Sequence, residues 1–216
     1  MQTSDRQTRS PLRGIGILLA LAALPVLGAA GYFALAAKPA FHGTTYEEVT
    51  PAPGFTLVDH TGRKVALSDF RGEAVLLFFG FTHCPDVCPL TLGKLARVTE
   101  SLGRRGEEVR ILLVTVDPER DTPAALAEYV RRFTPRALGL TGDRTALEQA
   151  YRGYGVYTLP GSGHGQPHAG GNHHPNGMTH STAVYGIDRQ GRLQVVIPPG
   201  APEEQIRDDV RTLLSR

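Results

Sequence analysis

Two largely apolar runs, at 74–81 and 109–116, limit the folds open to this chain more than any other feature of the sequence. Such runs are typical of strands that are buried on both faces, and these strands occur in parallel sheets covered by helices. Apolar residues at helical spacing follow each run. Gly103 is placed to end the first helix, and Thr122 with Pro123 is placed to begin the second. The pattern predicts an α/β sheet.

Shorter patterns place further strands and helices around these two strands. Turn residues at 59–62 and 188–191 separate pairs of apolar segments, so they predict two β-hairpins. Because hairpins add antiparallel strands to a parallel centre, we expect a mixed sheet flanked by helices. The predicted elements are strands at 55–58, 64–67, 137–140, 182–187 and 193–197 and helices over 92–102, from Thr122 to about Phe133, from Asp143 to about Tyr151 and around 206–214.

The composition fits one folded domain with an appendage. The chain has 216 residues, of which 41% are hydrophobic and 20% are charged, so it can build a core. Its two cysteines exclude a disulfide-stapled miniprotein and a four-thiolate zinc site. Four basic residues and one acidic residue among the first forty leave 19 basic and 20 acidic residues in the rest. This near-neutral body argues against nucleic acid as the main partner.

The uncharged stretch at 14–37 predicts a single membrane-spanning anchor, because 24 residues at about 1.5 Å each span a hydrocarbon core of about 30 Å. Basic residues are concentrated before it, so residues 1–13 are expected in the cytoplasm and the domain on the periplasmic side of the inner membrane. The alternative is a signal peptide cleaved after 34–36, although its apolar region would be unusually long. Residues 38–53 are expected to be a tether, and residues 54–216 to be the domain.

The two cysteines stand in the segment THCPDVCP at 82–89, directly after the first apolar run. Pro89 suits the first turn of a helix, which puts Cys88 at or near its N-cap and Cys84 in the preceding turn. We expect the helix N-terminus to lower the pKa of both thiols. Three functions remain open: a structural disulfide, a redox dithiol and a soft-metal site for copper(I). His180, just before a predicted strand, is the candidate third metal ligand.

Other candidate residues have both a functional and a structural interpretation. Asp117 and Asp121 are either an acid–base pair or turn and cap residues, and we favour the cap, with Asp121 accepting from helix N–H groups. His83 and Asp86 either tune the thiols and contact a partner or are exposed turn residues. Residues 161–177 predict a flexible loop whose histidines form an auxiliary metal site or only solubilise the loop. These histidines are His164, His168, His173 and His174, and nearby Met178 is either a soft copper(I) contact or a packing residue.

From about residue 53 to 214 the chain resembles the Sco/SenC family of thioredoxin-like copper proteins. The resemblance rests on LSDFRG at 67–72, FGFTHCPDVCP at 79–89, VDPERDTP at 116–123, LTG at 140–142 and His-Ser at 180–181. It implies a thioredoxin-like fold and one copper ion per chain, Cu(I) or Cu(II), held by Cys84, Cys88 and His180. The single N-terminal anchor also agrees with the family pattern.

The resemblance implies a metallochaperone that delivers copper to the copper-A subunit of cytochrome c oxidase. A thiol–disulfide reductase that keeps the copper-A cysteines reduced is the alternative, and a redox or copper sensor is a third possibility. An exported dithiol also needs a partner, either another periplasmic copper chaperone or a thiol reductant. Two departures stand out: Thr179 replaces an Asp that family members often have before the histidine, and the His-rich loop is longer than expected.

Overall fold

A computed structural model of the chain describes residues 40–46, 48–156 and 182–216. Within these residues eight strands form one mixed sheet, in the order β1-β8-β7-β4-β5-β6-β2-β3. The strands are β1 (Thr44–Thr45), β2 (Thr56–Asp59), β3 (Lys64–Ala66), β4 (Ala74–Gly80), β5 (Val109–Thr115), β6 (Ala137–Thr141), β7 (Val184–Ile187) and β8 (Leu193–Ile197). The helices are α1 (Val87–Ser101), α2 (Pro123–Arg131), α3 (Arg144–Gly153) and α4 (Glu203–Leu214), with 3₁₀ segments at Leu67–Phe70 and Gly103–Glu108.

The two apolar runs form the centre of the sheet, as predicted. β4 pairs in parallel with β5, and β5 pairs in parallel with β6. Every residue of β4 is buried, which explains why its sequence is apolar at each position rather than at alternate ones. The predicted hairpins β2–β3 and β7–β8 add antiparallel strands on either side of this centre. The expected mixed sheet flanked by helices is therefore confirmed.

The helices cover both faces of the sheet. A methyl group on Gly139 of β6 would lie 2.7 Å from Leu126 Cβ, so α2 packs closely on that face. Phe79 points to the opposite face, where its ring lies edge-on to Tyr151 of α3 with the ring centroids 6.1 Å apart. α1 is joined to the start of α4 by the Lys94 ammonium, which donates to the Ala201 carbonyl at 2.7 Å. This arrangement leaves the carboxyl ends of β4 and β5 side by side, with the cysteine segment following β4.

Part of the segment expected to be a tether belongs to the folded domain. Thr44 and Thr45 pair with β8 as a short edge strand, and the Asp209 carboxylate accepts the backbone N–H of His42 at 2.6 Å. The sequence pattern did not show this because a two-residue strand has no periodicity. The predicted anchor at 14–37 lies outside the described residues, and within those residues no helix is long and apolar enough to cross a membrane.

Both hairpin turns are built on the same pattern, an Asp followed by two residues, a Gly and an Arg. In the first, buried Asp59 accepts hydrogen bonds from the backbone N–H groups of Thr61 and Arg63 and from both of their side chains. Gly62 has φ +88°, a conformation that L side chains rarely adopt. Burial would raise the pKa of Asp59, but the hydrogen bonds outweigh it and lower the pKa to about 2. The turn therefore depends on an ionised carboxylate.

This lowered pKa predicts an acid-sensitive hairpin. Because the folded pKa is below the unfolded value, Asp59 stabilises the protein fully above about pH 4 and loses that contribution as the pH falls towards 2. We expect Asp59→Asn to lower the free energy of unfolding at pH 7, and the difference from the wild type to shrink between pH 4 and pH 2. Urea unfolding across this range tests it, with Asp208→Asn as the control at an exposed carboxylate. A difference independent of pH would contradict the expectation.

Candidate metal centre

The cysteine segment is a turn that leads directly from β4 into α1. The Cys84 N–H donates to the Phe81 carbonyl at 3.3 Å, which closes the turn, and Asp86 is the N-cap of α1 without a side-chain capping bond. Cys88 therefore lies in the first turn of the helix, followed by Pro89, as the sequence predicts. The two cysteines stand one on each side of the point where the turn becomes helix.

The two thiols are buried next to each other. Cys84 is 4% exposed and Cys88 is fully buried. The Cys88 backbone N–H donates to the Cys84 sulfur at 3.4 Å. The structure shows two separate thiols rather than the disulfide that was one of the three interpretations of the pair. Two sulfur donors held together in this way suit a soft cation such as copper(I).

The environment of Cys88 corrects one expectation about the thiols. Burial raises the pKa of Cys88 well above its usual range, and the neighbouring Cys84 and Asp121 raise it further. The Phe81 N–H, which donates to the Cys88 sulfur, acts in the opposite direction. The expected lowering by the helix N-terminus is therefore wrong for Cys88, because loss of hydration outweighs the field of the helix. A metal ion must displace the proton of this thiol in order to bind.

The space for the Cys88 sulfur is provided by Gly80, the last residue of β4. A methyl group on Gly80 would lie 2.9 Å from the Cys88 sulfur, 2.8 Å from Phe78 Cε1 and 3.2 Å from Leu113 Cδ1. Its φ is not in the left-handed region, so the position requires a small residue rather than an unusual backbone. Gly80 was not identified from the sequence, since a Gly at the end of a strand is ordinary in a turn.

Asp121 connects the cysteine segment to the rest of the sheet and does not cap a helix, which corrects the sequence-based interpretation. It is fully buried, and its carboxylate accepts the Thr82 hydroxyl at 2.6 Å, the Thr82 N–H at 3.1 and 3.2 Å and the Thr115 hydroxyl at 2.6 Å. The cap of α2 is Thr122, whose hydroxyl accepts the Ala125 N–H. Asp121 therefore fastens the residue two places before Cys84 to the end of β5.

The other polar candidates lie around this connection. The Asp117 carboxylate accepts a hydrogen bond from Arg120, and its N–H donates to the Thr115 hydroxyl at 2.9 Å. His83 is half exposed, with its Nδ1 3.0 Å from the Thr82 hydroxyl and 3.9 Å from Asp121 Oδ1. Asp86 is exposed. Asp117 and Asp121 are thus engaged in structural contacts, while His83 and Asp86 form the surface beside the buried thiols.

Tyr129 of α2 is a neighbour of the site that the sequence pattern missed. The side chain is 7% exposed, and its hydroxyl has no hydrogen-bond partner among the described residues. Burial raises the pKa of Tyr129, and the charges of Cys88, Cys84 and Asp121 raise it further. Helical spacing assigns Tyr129 to the buried face of α2, but the same spacing describes any core residue.

The candidate third ligand cannot be placed by this structure. His180, Met178 and the loop histidines His164, His168, His173 and His174 lie outside the described residues. Among the residues that the structure does describe, no three His, Cys, Asp or Glu side chains are grouped so as to hold a metal ion. The described part of the site therefore consists of two sulfur donors, a buried carboxylate that fixes their turn, and an unpartnered phenol nearby.

Comparisons with known proteins agree with this arrangement. The family model described as SCO1/SenC matches residues 44–215. The chain is 43% identical over 160 residues to the mitochondrial SCO2 homolog of Bos taurus, which covers 73% of this chain and 57% of that protein. The chain thus spans less than two thirds of the length of that relative.

Two solved structures share the fold over most of the chain. ScoI from Bradyrhizobium japonicum, solved with copper bound, is 32% identical with a TM-score of 0.64 and covers 76% of this chain and 100% of that one. The apo Sco1 protein from Thermus thermophilus is 34% identical with a TM-score of 0.69 and covers 82% of this chain and 99% of that one. The thioredoxin-like architecture expected from the sequence is therefore shared with proteins of this kind.

The close approach of Gly80 to the Cys88 sulfur predicts that Gly80→Ala is harmful. The added methyl group has no free volume, so we expect the free energy of unfolding to fall by about 1–3 kcal/mol. Urea unfolding measures this loss, and a copper titration of the same protein should show weaker binding because the sulfur is displaced. Gly54→Ala is the matched control, since a methyl group there meets nothing within 4 Å. Equal stability of the two variants would show that the contact is not a constraint.

Proposed function

The chain belongs to the SCO1/SenC family, and from this membership we propose that it is a copper metallochaperone that delivers copper to the copper-A site of cytochrome c oxidase. The observation that carries the proposal is the pair of adjacent, reduced thiols of Cys84 and Cys88 at the start of α1. Copper is the cargo, one ion per chain, as Cu(I) or Cu(II). The copper-bound state of the Bradyrhizobium relative supports the same cargo here.

In the proposed site two thiolates and one imidazole hold the ion. Cys84 and Cys88 supply the sulfur donors, and His180 supplies the nitrogen. Thiolates favour Cu(I), which tolerates two sulfur ligands alone, whereas Cu(II) gains more from an imidazole. Because the copper ion has few ligands in this site, a ligand from another protein can reach it. A thiolate of the receiving protein bonds to the copper as one of these ligands leaves, so the ion is never released into water.

The proposed location places the domain where exported oxidase subunits receive their metal. Residues 14–37 are proposed to be a single-pass anchor in the inner membrane, with residues 1–13 in the cytoplasm and the domain in the periplasm. The absence of charge along this stretch supports the anchor. The proposed partners are the copper-A subunit, as recipient, and another periplasmic copper chaperone or a thiol reductant that supplies the site.

An anaerobic copper titration of the full chain, with Cys84 and Cys88 confirmed as reduced, tests the proposal. We expect tight binding of one copper per chain, and loss of that binding in Cys84→Ser and Cys88→Ser. We expect His180→Ala to weaken Cu(II) binding by at least about tenfold, with a smaller effect on Cu(I), because Cu(I) retains its two thiolates. His42→Ala is the control for removal of a partly exposed imidazole elsewhere.

Each outcome of the titration supports or refutes a different part of the proposal. Saturation above one copper that disappears when the four loop histidines become alanine would identify an auxiliary site in the loop. Unchanged Cu(II) affinity in His180→Ala would refute the ligand assignment. Absence of tight binding by the reduced wild-type chain would refute copper delivery and favour the reductase.

The alternative function is a thiol–disulfide reductase acting on the copper-A cysteines. One thiolate of the pair attacks the target disulfide and forms a mixed disulfide. The second cysteine then attacks the mixed disulfide, which releases the target as a free dithiol and leaves Cys84 and Cys88 joined by a disulfide. The hydrogen bond from the Cys88 backbone N–H to the Cys84 sulfur supports this alternative, because it holds the sulfur of one cysteine against the backbone of the other.

His180 distinguishes the two functions, because copper delivery requires it and disulfide exchange does not. If the chain is a reductase, the wild type and His180→Ala should reduce an oxidised copper-A peptide at the same rate, measured by the appearance of free thiols. Copper transfer to the reduced peptide should fall sharply in His180→Ala if it is a metallochaperone. A variant that transfers copper as well as the wild type would contradict our proposal.

A further inference from the structure

We propose that His83 is an entry ligand of the metal site, an imidazole that binds copper(II) at the protein surface through its Nε2 and passes the ion to the buried cysteines. This inference rests on the proposed function, since it takes copper to be the cargo of Cys84 and Cys88. It adds to the site a side chain that is 57% exposed and that stands directly before Cys84 in the chain.

The first observation is a chain of hydrogen bonds behind the imidazole. The Thr82 hydroxyl lies 2.6 Å from Asp121 Oδ1 and 3.0 Å from His83 Nδ1. The buried carboxylate of Asp121 has no proton to give, so the single proton of the hydroxyl lies in the bond to Asp121. The hydroxyl can then only accept from the ring. His83 Nδ1 therefore carries a proton and donates it to Thr82.

These hydrogen bonds decide which ring nitrogen is available. A neutral imidazole with its proton on Nδ1 has its lone pair on Nε2, and within the described part of the chain no hydrogen bond uses that atom. An imidazole that binds a metal usually donates its other ring N–H to a carboxylate or a similar acceptor. This bond fixes the ring and strengthens the ligating nitrogen. His83 has the same support, through Thr82 to Asp121.

The other two imidazoles among the described residues are used differently. His60 Nδ1 accepts the Gly139 N–H of β6 at 3.2 Å, so its lone pair is already engaged. His42 lies 3.8 Å from the Asp208 carboxylate of α4. Neither residue belongs to the cysteine segment. In the part of the chain that the structure describes, His83 alone combines an exposed ring, a fixed Nδ1 proton and a place next to a cysteine.

The burial of the two sulfurs explains why an entry ligand is useful. Cys84 is 4% exposed and Cys88 is fully buried, whereas a copper ion arrives from solvent with its water ligands. The His83 nitrogen can bind the ion before those waters are lost. The next residue along the chain, with its Cα about 3.8 Å away, then supplies the first sulfur. The copper–nitrogen bond breaks as the copper–sulfur bond forms, the thiol proton passes to water and the copper stays Cu(II).

Stopped-flow mixing of the reduced full chain with copper(II) glycinate tests this inference. The sulfur-to-copper charge-transfer absorption appears only when the ion reaches a thiolate, so it reports capture, and its loss to excess EDTA reports release. A transient ligand lowers the barrier in both directions. We therefore expect His83→Ala to slow capture and release by the same factor, about tenfold, with the equilibrium affinity and the final spectrum unchanged.

Two further variants separate a ligand from a structural residue. His83→Asn places an amide N–H where Nδ1 stands, so it keeps a donor for the Thr82 hydroxyl but has no Nε2, and it should be as slow as His83→Ala. His42→Ala is the matched control. It removes a 46% exposed imidazole on the surface of α4, and both of its rates should equal those of the wild type.

The possible results are distinguishable. Wild-type rates in His83→Ala would overturn the inference and leave the proposed copper function intact. Wild-type rates in His83→Asn alone would also overturn it, since the hydrogen bond to Thr82 would then be the reason for the effect. Faster release with unchanged capture would identify a permanent ligand instead. A wild-type chain that binds no copper would refute the proposed function and this inference together.

Discussion

The buried carboxylate of Asp121 is the interaction on which the metal site depends. It accepts the N–H and hydroxyl of Thr82 from the cysteine turn and the hydroxyl of Thr115 from the end of β5. A buried charge is costly unless donors surround it, and here each carboxylate oxygen has donors within hydrogen-bond distance. The carboxylate is therefore stable only when the turn and the strand end are both in place, which couples the position of Cys84 to the assembled sheet.

The second constraint is the tightness of the space around Cys88. Gly80 leaves room for the sulfur but for no additional methyl group, and burial raises the pKa of this thiol well above its usual range. A metal ion that binds the Cys88 sulfur must therefore replace its proton.

Much of the architecture could be predicted, and the errors share one cause. The apolar runs of β4 and β5, the hairpin turns with Asp59 and Asp188, and the start of α1 beside the cysteines all depend on patterns of a few neighbouring residues. The expected cap role of Asp121 and the expected acidity of Cys88 were wrong because both were judged from the adjacent helix alone. The edge strand at Thr44–Thr45 was missed because β8 provides its pairing, not its own sequence.

Local sequence patterns are enough to predict the strands, the helices and the location of the two cysteines at a strand-to-helix junction. Periodicity, capping and turn chemistry each depend on only a few neighbouring residues. The state of the thiols and the partners around them are decided only when the sheet has formed. Asp121 meets Thr82 across 39 positions, and Phe133, just after α2, approaches Gly93 of α1 across 40. Burial and hydrogen bonding at such separations depend on how the elements pack, because no short-range pattern records which distant side chains will exclude water from one another.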